Sequence, residues 1–243
     1  MKRSATPIAV TLLLLLAAPG ASAEDVIRVS YNERPPYVSA QADGTPSGLT
    51  GTPASAAFKA AGIPDQWVRL PTNRQLLLIK DPRSLSCAVG WLSTPERHQY
   101  AKFTKPIYRD GQWVALANAS FAARGIHSLE ELAQHRDVRV LIKDNYSYGG
   151  LDTFMQQWQP VTAVSTASPA KMMQSVSKGM VDLMFVSADE GHYMMQHLAG
   201  DQAANLRLLQ FKDMPHGGER HIICSKAVPD EVIARLNKVI TFK

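Results

Sequence analysis

The stretch Ser93-Thr94-Pro95-Glu96-Arg97 carries the plainest anion-binding chemistry in the chain. Thr94 has the side chain of a helix N-cap, Pro95 suits a first helical position, and Glu96 falls in the first turn. The free amides and the dipole of such a start favour an anion, and Arg97 sits there to add a full positive charge. Other reactive groups are less organised. Glu33, Glu190 and His192 are candidates for an acid or base, but no diagnostic spacing pairs them. No nucleophile elbow or phosphate loop occurs. Cys87 and Cys224 lack a neighbouring cysteine or histidine at zinc-ligand spacing, so they are a disulfide or two buried thiols. Met172-Met173 and Met194-Met195 fall on helical patterns and read as core, while His216 and His221 have no close partner ligands. No metal and no cofactor is expected.

These residues need a scaffold. Residues 26–31, 66–70, 86–92, 112–117, 138–142, 181–186 and 220–225 read as strands. Residues 54–61, 73–80, 151–158, 171–178, 189–197 and 230–240 read as helices, and Ser128 begins a short capped one. Strands alternating with helices imply mostly parallel sheets covered by helices. Two such sets occur with no flexible linker between them, so the chain is expected to form two α/β lobes, with ligands bound where strand ends face the cleft.

The 243-residue chain opens with Lys2 and Arg3, an apolar run at residues 8–18, Pro19-Gly20, and then Ala21-Ser22-Ala23. This is the pattern of a secretory signal cleaved after Ala23, and the run is short of the ~20 residues that span a bilayer. Cleavage removes two basic residues and no acidic one, taking the net charge from +5 to +3. The remaining Lys and Arg residues are scattered without a stripe or recognition motif, which argues against nucleic acid. In an exported protein an even pair of cysteines favours a disulfide.

The opening strand, Pro35-Pro36-Tyr37, Asp43-Gly44, Gly48 and a following helix resemble the start of family 3 periplasmic solute-binding proteins, the amino-acid-binding kind. Cys87 to Tyr108, reading CAVGWLSTPERHQYAKFTKPIY, resembles that family more specifically. The segment opening at Ser128 and the Gly-x-Val-Asp-apolar pattern at residues 179–186 continue the likeness. The resemblance implies a type II periplasmic binding fold with a mixed, mostly parallel sheet in each lobe. Residues 24–110 and 213–243 would form one lobe and residues 111–212 the other. It implies that Arg97 holds a ligand carboxylate, for which a guanidinium fork is suited, unless it serves a salt bridge instead. Thr94 would add a hydroxyl or only cap its helix, and Trp91 would stack on the ligand or fill the core. Tyr37, Arg34 and Ser147 fall where the family lines its pocket. Ser187 stands where amino-acid binders carry an ammonium-holding Asp, with Asp189 or Glu190 as substitutes, and Arg34 replaces an aromatic. An extra cation implies a more acidic ligand. The family also places Cys87 and Cys224 in one lobe, within reach of a single disulfide. The expectation is a monomeric periplasmic binder of a small anionic or zwitterionic solute, read by an ABC permease or a sensor receptor. The alternative is a dehydratase-like enzyme on the same scaffold.

Overall fold

The structure is a computed structural model that describes residues 25–242. The export-signal reading of residues 1–23 lies outside the described residues. The chain starts with β1 (Ile27–Tyr31), then a small separate hairpin of β2 (Ser39–Ala40) and β3 (Pro46–Ser47). It continues through α1 (Gly51–Ala61), β4 (Asp65–Arg69), α2 (Thr72–Lys80), β5 (Ser86–Leu92), the single turn α3 (Pro95–His98) and β6 (Ala101–Arg109). The chain then crosses over to β7 (Trp113–Asn118), the turns α4 (Ala119–Ala122) and α5 (Leu129–Leu132), β8 (Arg139–Lys143), α6 (Gly150–Trp158) and β9 (Val161–Ser165). After α7 (Pro169–Ser177), β10 (Leu183–Ser187), α8 (Ala188–Tyr193) and β11 (Leu206–Leu209), it returns as β12 (Glu219–Ser225) and α9 (Asp230–Val239).

The strand order is β4-β1-β5-β12-β6 in one sheet and β11-β7-β10-β8-β9 in the other. Four of the five strands in each sheet run the same way, with β12 and β7 opposed to their neighbours. Helices cover both faces, which is why β5 and β10 are apolar runs rather than alternating ones. In the first lobe α1 buries Ala54, Ala57 and Phe58 and ends at Gly62 in the left-handed conformation. The amphipathic α9 packs beside it through Val232 and Leu236. In the second, α7 buries Met172, Met173 and Val176. Cys87 on β5 and Cys224 on β12 are direct partners in the antiparallel register and form a disulfide.

Two segments join the lobes, and they touch. Asp110 N–H donates to Gly218 O at 3.0 Å and Trp113 N–H to Pro215 O at 3.3 Å. A Cβ on Gly217 would lie 2.2 Å from Gly111 O and 2.3 Å from Asp110 O, so only glycine permits this approach. Arg220 clamps the crossing through a bidentate ion pair with Asp110, the two side chains being 4% and 0% exposed.

Five strands, β2, β3, β6, β9 and β11, were not anticipated, and the expected helix over residues 189–197 changes after Tyr193 into a π-helical turn, Met194–Leu198. Among the described residues no helix is long and apolar enough to cross a membrane. Nor do three His, Cys, Asp or Glu side chains gather there in a metal-binding group.

Candidate ligand-binding cleft

The loop after β1 folds back on itself. Arg34 N–H donates to Val38 O at 2.8 Å and Val38 N–H returns the bond to Arg34 O at 3.0 Å, so Arg34 and Tyr37 emerge side by side. Gly48 lies beneath, where a Cβ would be 2.5 Å from Pro36 O. On the other lobe, the end of β10 presents Ser187 and the first turn of α8 presents Glu190.

These two edges meet. Arg34 Nε donates to one Glu190 oxygen at 2.7 Å and its Nη2 to the other at 2.5 Å, with the side chains only 11% and 5% exposed. The guanidinium also lies over Tyr37 and over Tyr146, 4.8 Å from each ring centre. Burial alone would ease its proton off, but Glu190 more than reverses this and holds the Arg34 pKa well above its usual value. Tyr37 Oη and Ser187 Oγ stand 2.5 Å apart across the same gap. Asn73 Nδ2 donates to Asp144 at 2.8 Å, giving a third contact between the lobes.

Two expectations are corrected by this arrangement. Arg34 is not an extra unpaired cation, because Glu190 neutralises it. Glu190 in turn is not free to hold a ligand ammonium, and Asp189 is committed to the crossing, accepting from Gly111 N–H at 2.7 Å. Asp189 also faces Tyr108, whose phenol is pushed up to about 12 by burial and then by that carboxylate.

Arg97 is buried, 8% exposed, and folds back toward the end of β5. Its Nη1 donates to Leu92 O at 2.8 Å and its Nη2 to Asn145 O, on the second lobe, at 3.4 Å. Tyr100 stands near the guanidinium, which rests 4.8 Å from the centre of the Trp91 ring. Among the described residues no carboxylate pairs with it. Burial pulls its pKa below the usual arginine value, and neighbouring Tyr100 and Glu96 offset this only in part. The helix start matters less than the sequence implied: α3 is one turn, and so short a helix aligns few peptide dipoles.

A pocket lies here, lined by Arg97, Trp91, Tyr37, Arg34, Ser147 and Arg220 among others. Trp91 is anchored by its Nε1–H to Gln75 at 3.2 Å. Ser147 faces the cavity, but its hydroxyl donates to Asp152 at 2.7 Å and is not free to serve an anion. Thr94 lines a neighbouring, more open groove and accepts from Arg97 N–H at 3.3 Å as a cap. The candidate acids and bases are not brought together: Glu33 pairs with Arg69 at 2.7 Å on the surface, and His192 is exposed. Sequence reasoning missed Arg220, Asn145 and Tyr146 as cleft residues, and Asp110 as the buried partner of Arg220. Only Tyr146, next to Ser147, had a neighbour to draw attention to it.

No family model and no curated protein matches the chain. Solved structures do. An ancestral arginine-binding protein bound to arginine superposes with a TM-score of 0.67 at 17% identity, over 88% of this chain and 90% of that one. A histidine kinase sensor domain with similarity to periplasmic binding proteins gives 0.67 at 17%, covering 88% of each chain. An ancestral amino acid-binding protein, a precursor of cyclohexadienyl dehydratase, gives 0.64 at 19%, over 88% and 86%. At such identities the likeness concerns the fold: the chain has the two-lobed α/β architecture of the periplasmic binding proteins. The neighbours of that fold include binding proteins of amino acid transporters and a sensor domain.

Proposed function

We propose that this protein is an exported, periplasmic solute-binding protein of the family 3 kind, with residues 24–110 and 213–243 as one lobe and 111–212 as the other. It captures a small carboxylate between the lobes as a monomer and does not turn it over. An inner-membrane ABC permease or a sensor receptor then reads the closed form.

One observation carries the reading. Arg97 is a buried guanidinium at the cleft with no carboxylate partner among the described residues, whereas Arg34 and Arg220 each have one. A buried unpaired charge is costly, and an incoming carboxylate relieves that cost with charge-assisted hydrogen bonds. The same bookkeeping favours an anion over an ordinary zwitterion. Glu190 and Asp110 are already neutralised and Ser187 carries no charge, so a ligand ammonium would find no free carboxylate in the first cavity.

Calorimetry against simple carboxylates and α-amino acids tests this. Carboxylates without an ammonium should bind more tightly, and Arg97→Ala should weaken them by about 10- to 150-fold, the worth of a hydrogen bond to a charged group. An Arg97→Ala protein with unchanged affinity for a confirmed carboxylate would refute the assignment.

A further inference from the structure

The cleft has a second chamber that the Arg97 site does not use. It adjoins the first at Asn32, Arg34 and Tyr146, which line both. Its walls are of another kind: Trp113 from β7, Tyr148, Met172 from α7, and Met184 and Phe185 from β10. Clefts with an apolar lining and few polar groups are where small organic molecules bind. Methionine adds an adaptable surface against flat or branched groups.

Most polar groups of this chamber are already engaged. Glu190 holds Arg34, and Lys143 Nζ donates to the backbone oxygens of Thr166 and Ala167. Trp113 is different. It is 2% exposed, and its indole Nε1–H has no hydrogen-bond partner. Among the described residues only one other buried side-chain polar atom, Gln202 Oε1, shares that condition. An indole N–H can only donate, so its complement is an oxygen acceptor. That acceptor should be neutral, because a second charge would lie beside Glu190 in apolar surroundings, and burial lowers the Lys143 pKa rather than favouring its cation.

We propose that the second chamber takes the apolar body of the ligand, with Trp113 Nε1 donating to a neutral oxygen on it. The inference rests on the carboxylate reading and narrows it to an aryl- or alkyl-extended carboxylic acid bearing a far-end hydroxyl, ether or carbonyl. The carboxylate meets Arg97, and the body passes Tyr146 to reach Trp113.

Three probes sharing one head test the proposal by calorimetry on the whole chain: propanoate, 3-phenylpropanoate and 3-(4-hydroxyphenyl)propanoate. Burying the ring should tighten binding at least about tenfold over propanoate, and the phenol oxygen should add about fivefold more. Trp113→Phe keeps an aromatic ring and removes the donor. It should erase the phenol's advantage and leave propanoate unchanged. Met184→Phe, which fills the chamber, should weaken only the two aryl probes and serves if the first variant does not fold. Aryl probes no tighter than a propanoate that still depends on Arg97 would overturn the second chamber and spare the carboxylate site. A phenol advantage that survives Trp113→Phe would assign the indole N–H to solvent and overturn its role. Failure of all three probes to bind, or their indifference to Arg97→Ala, would overturn the carboxylate reading and this inference with it.

Discussion

Replacing Arg34 with Met isolates the cost of the bridge between the lobes. The pair is bidentate, at 2.7 and 2.5 Å, and its side chains are 11% and 5% exposed, so Arg34→Met strands the Glu190 carboxylate in a nearly dry gap. Breaking one half of a buried pair costs about 3–5 kcal/mol. For a chain of this length that lowers Tm by roughly 6–20 °C. The double variant Arg34→Met with Glu190→Met removes both charges, and substitution of a whole buried pair by apolar groups of similar volume is often neutral. Most of the lost stability should therefore return. Thermal and urea unfolding of the wild type, both single variants and the double variant complete the cycle, which should show a coupling of at least about 2 kcal/mol. Additive single effects would refute the reasoning. They would mean that the two groups stand apart in water, with the lobes open in the unliganded protein.

Further outcomes follow from other contacts. Replacing Cys87 and Cys224 together with Ser frees a loop spanning 137 residues and should cost about 5 kcal/mol in the chain-entropy model, read as a fall in the urea midpoint that reductant reproduces in the wild type. Thr94→Ala should cost about 1 kcal/mol of stability through the lost cap yet leave carboxylate affinity unchanged, as titration of the folded variant would check. Asp182 has a folded pKa below 3.8: burial pushes it up, but hydrogen bonds from the Arg139 side chain and backbone outweigh that. Its contribution is complete above the ordinary carboxylate range and is lost as pH falls through the depressed value. Unfolding measured between pH 7 and pH 2 should show a shallower acid loss in Asp182→Asn than in the wild type.

What the sequence made legible was mostly local. β5 and β10 are apolar runs bounded by polar residues, and Ser128, Thr94 and Gly62 mark helix ends with their own chemistry. β6 was harder, because Lys102, Lys105 and Pro106 interrupt its pattern. The proline is tolerated where the pairing with β12 shifts register. β9 is a five-residue strand at the edge of its sheet and largely exposed, so it lacks the core-facing alternation that betrays a strand. Arg97 was found because its motif is contiguous. The partnerships of Arg34 with Glu190 and of Arg220 with Asp110 span 156 and 110 residues, and they depend on how two lobes close rather than on any spacing. The misjudged cation in the cleft follows from that: a charge was visible in the sequence, and its neutralising partner was not.

The position of β12 between β5 and β6 has a consequence for the order in which the protein is made. Every strand of the second sheet leaves the ribosome before β12 does, so that half can finish folding while the first still lacks an inner strand. Until residues 219–225 arrive, β5 and β6 each expose a bare row of amide and carbonyl groups, and Cys87 has no mate. Such edges invite pairing with a neighbouring chain. Early synthesis thus leaves one half ready and the other parted, and the nascent protein's exposure to misassembly ends only when its last strand slides home.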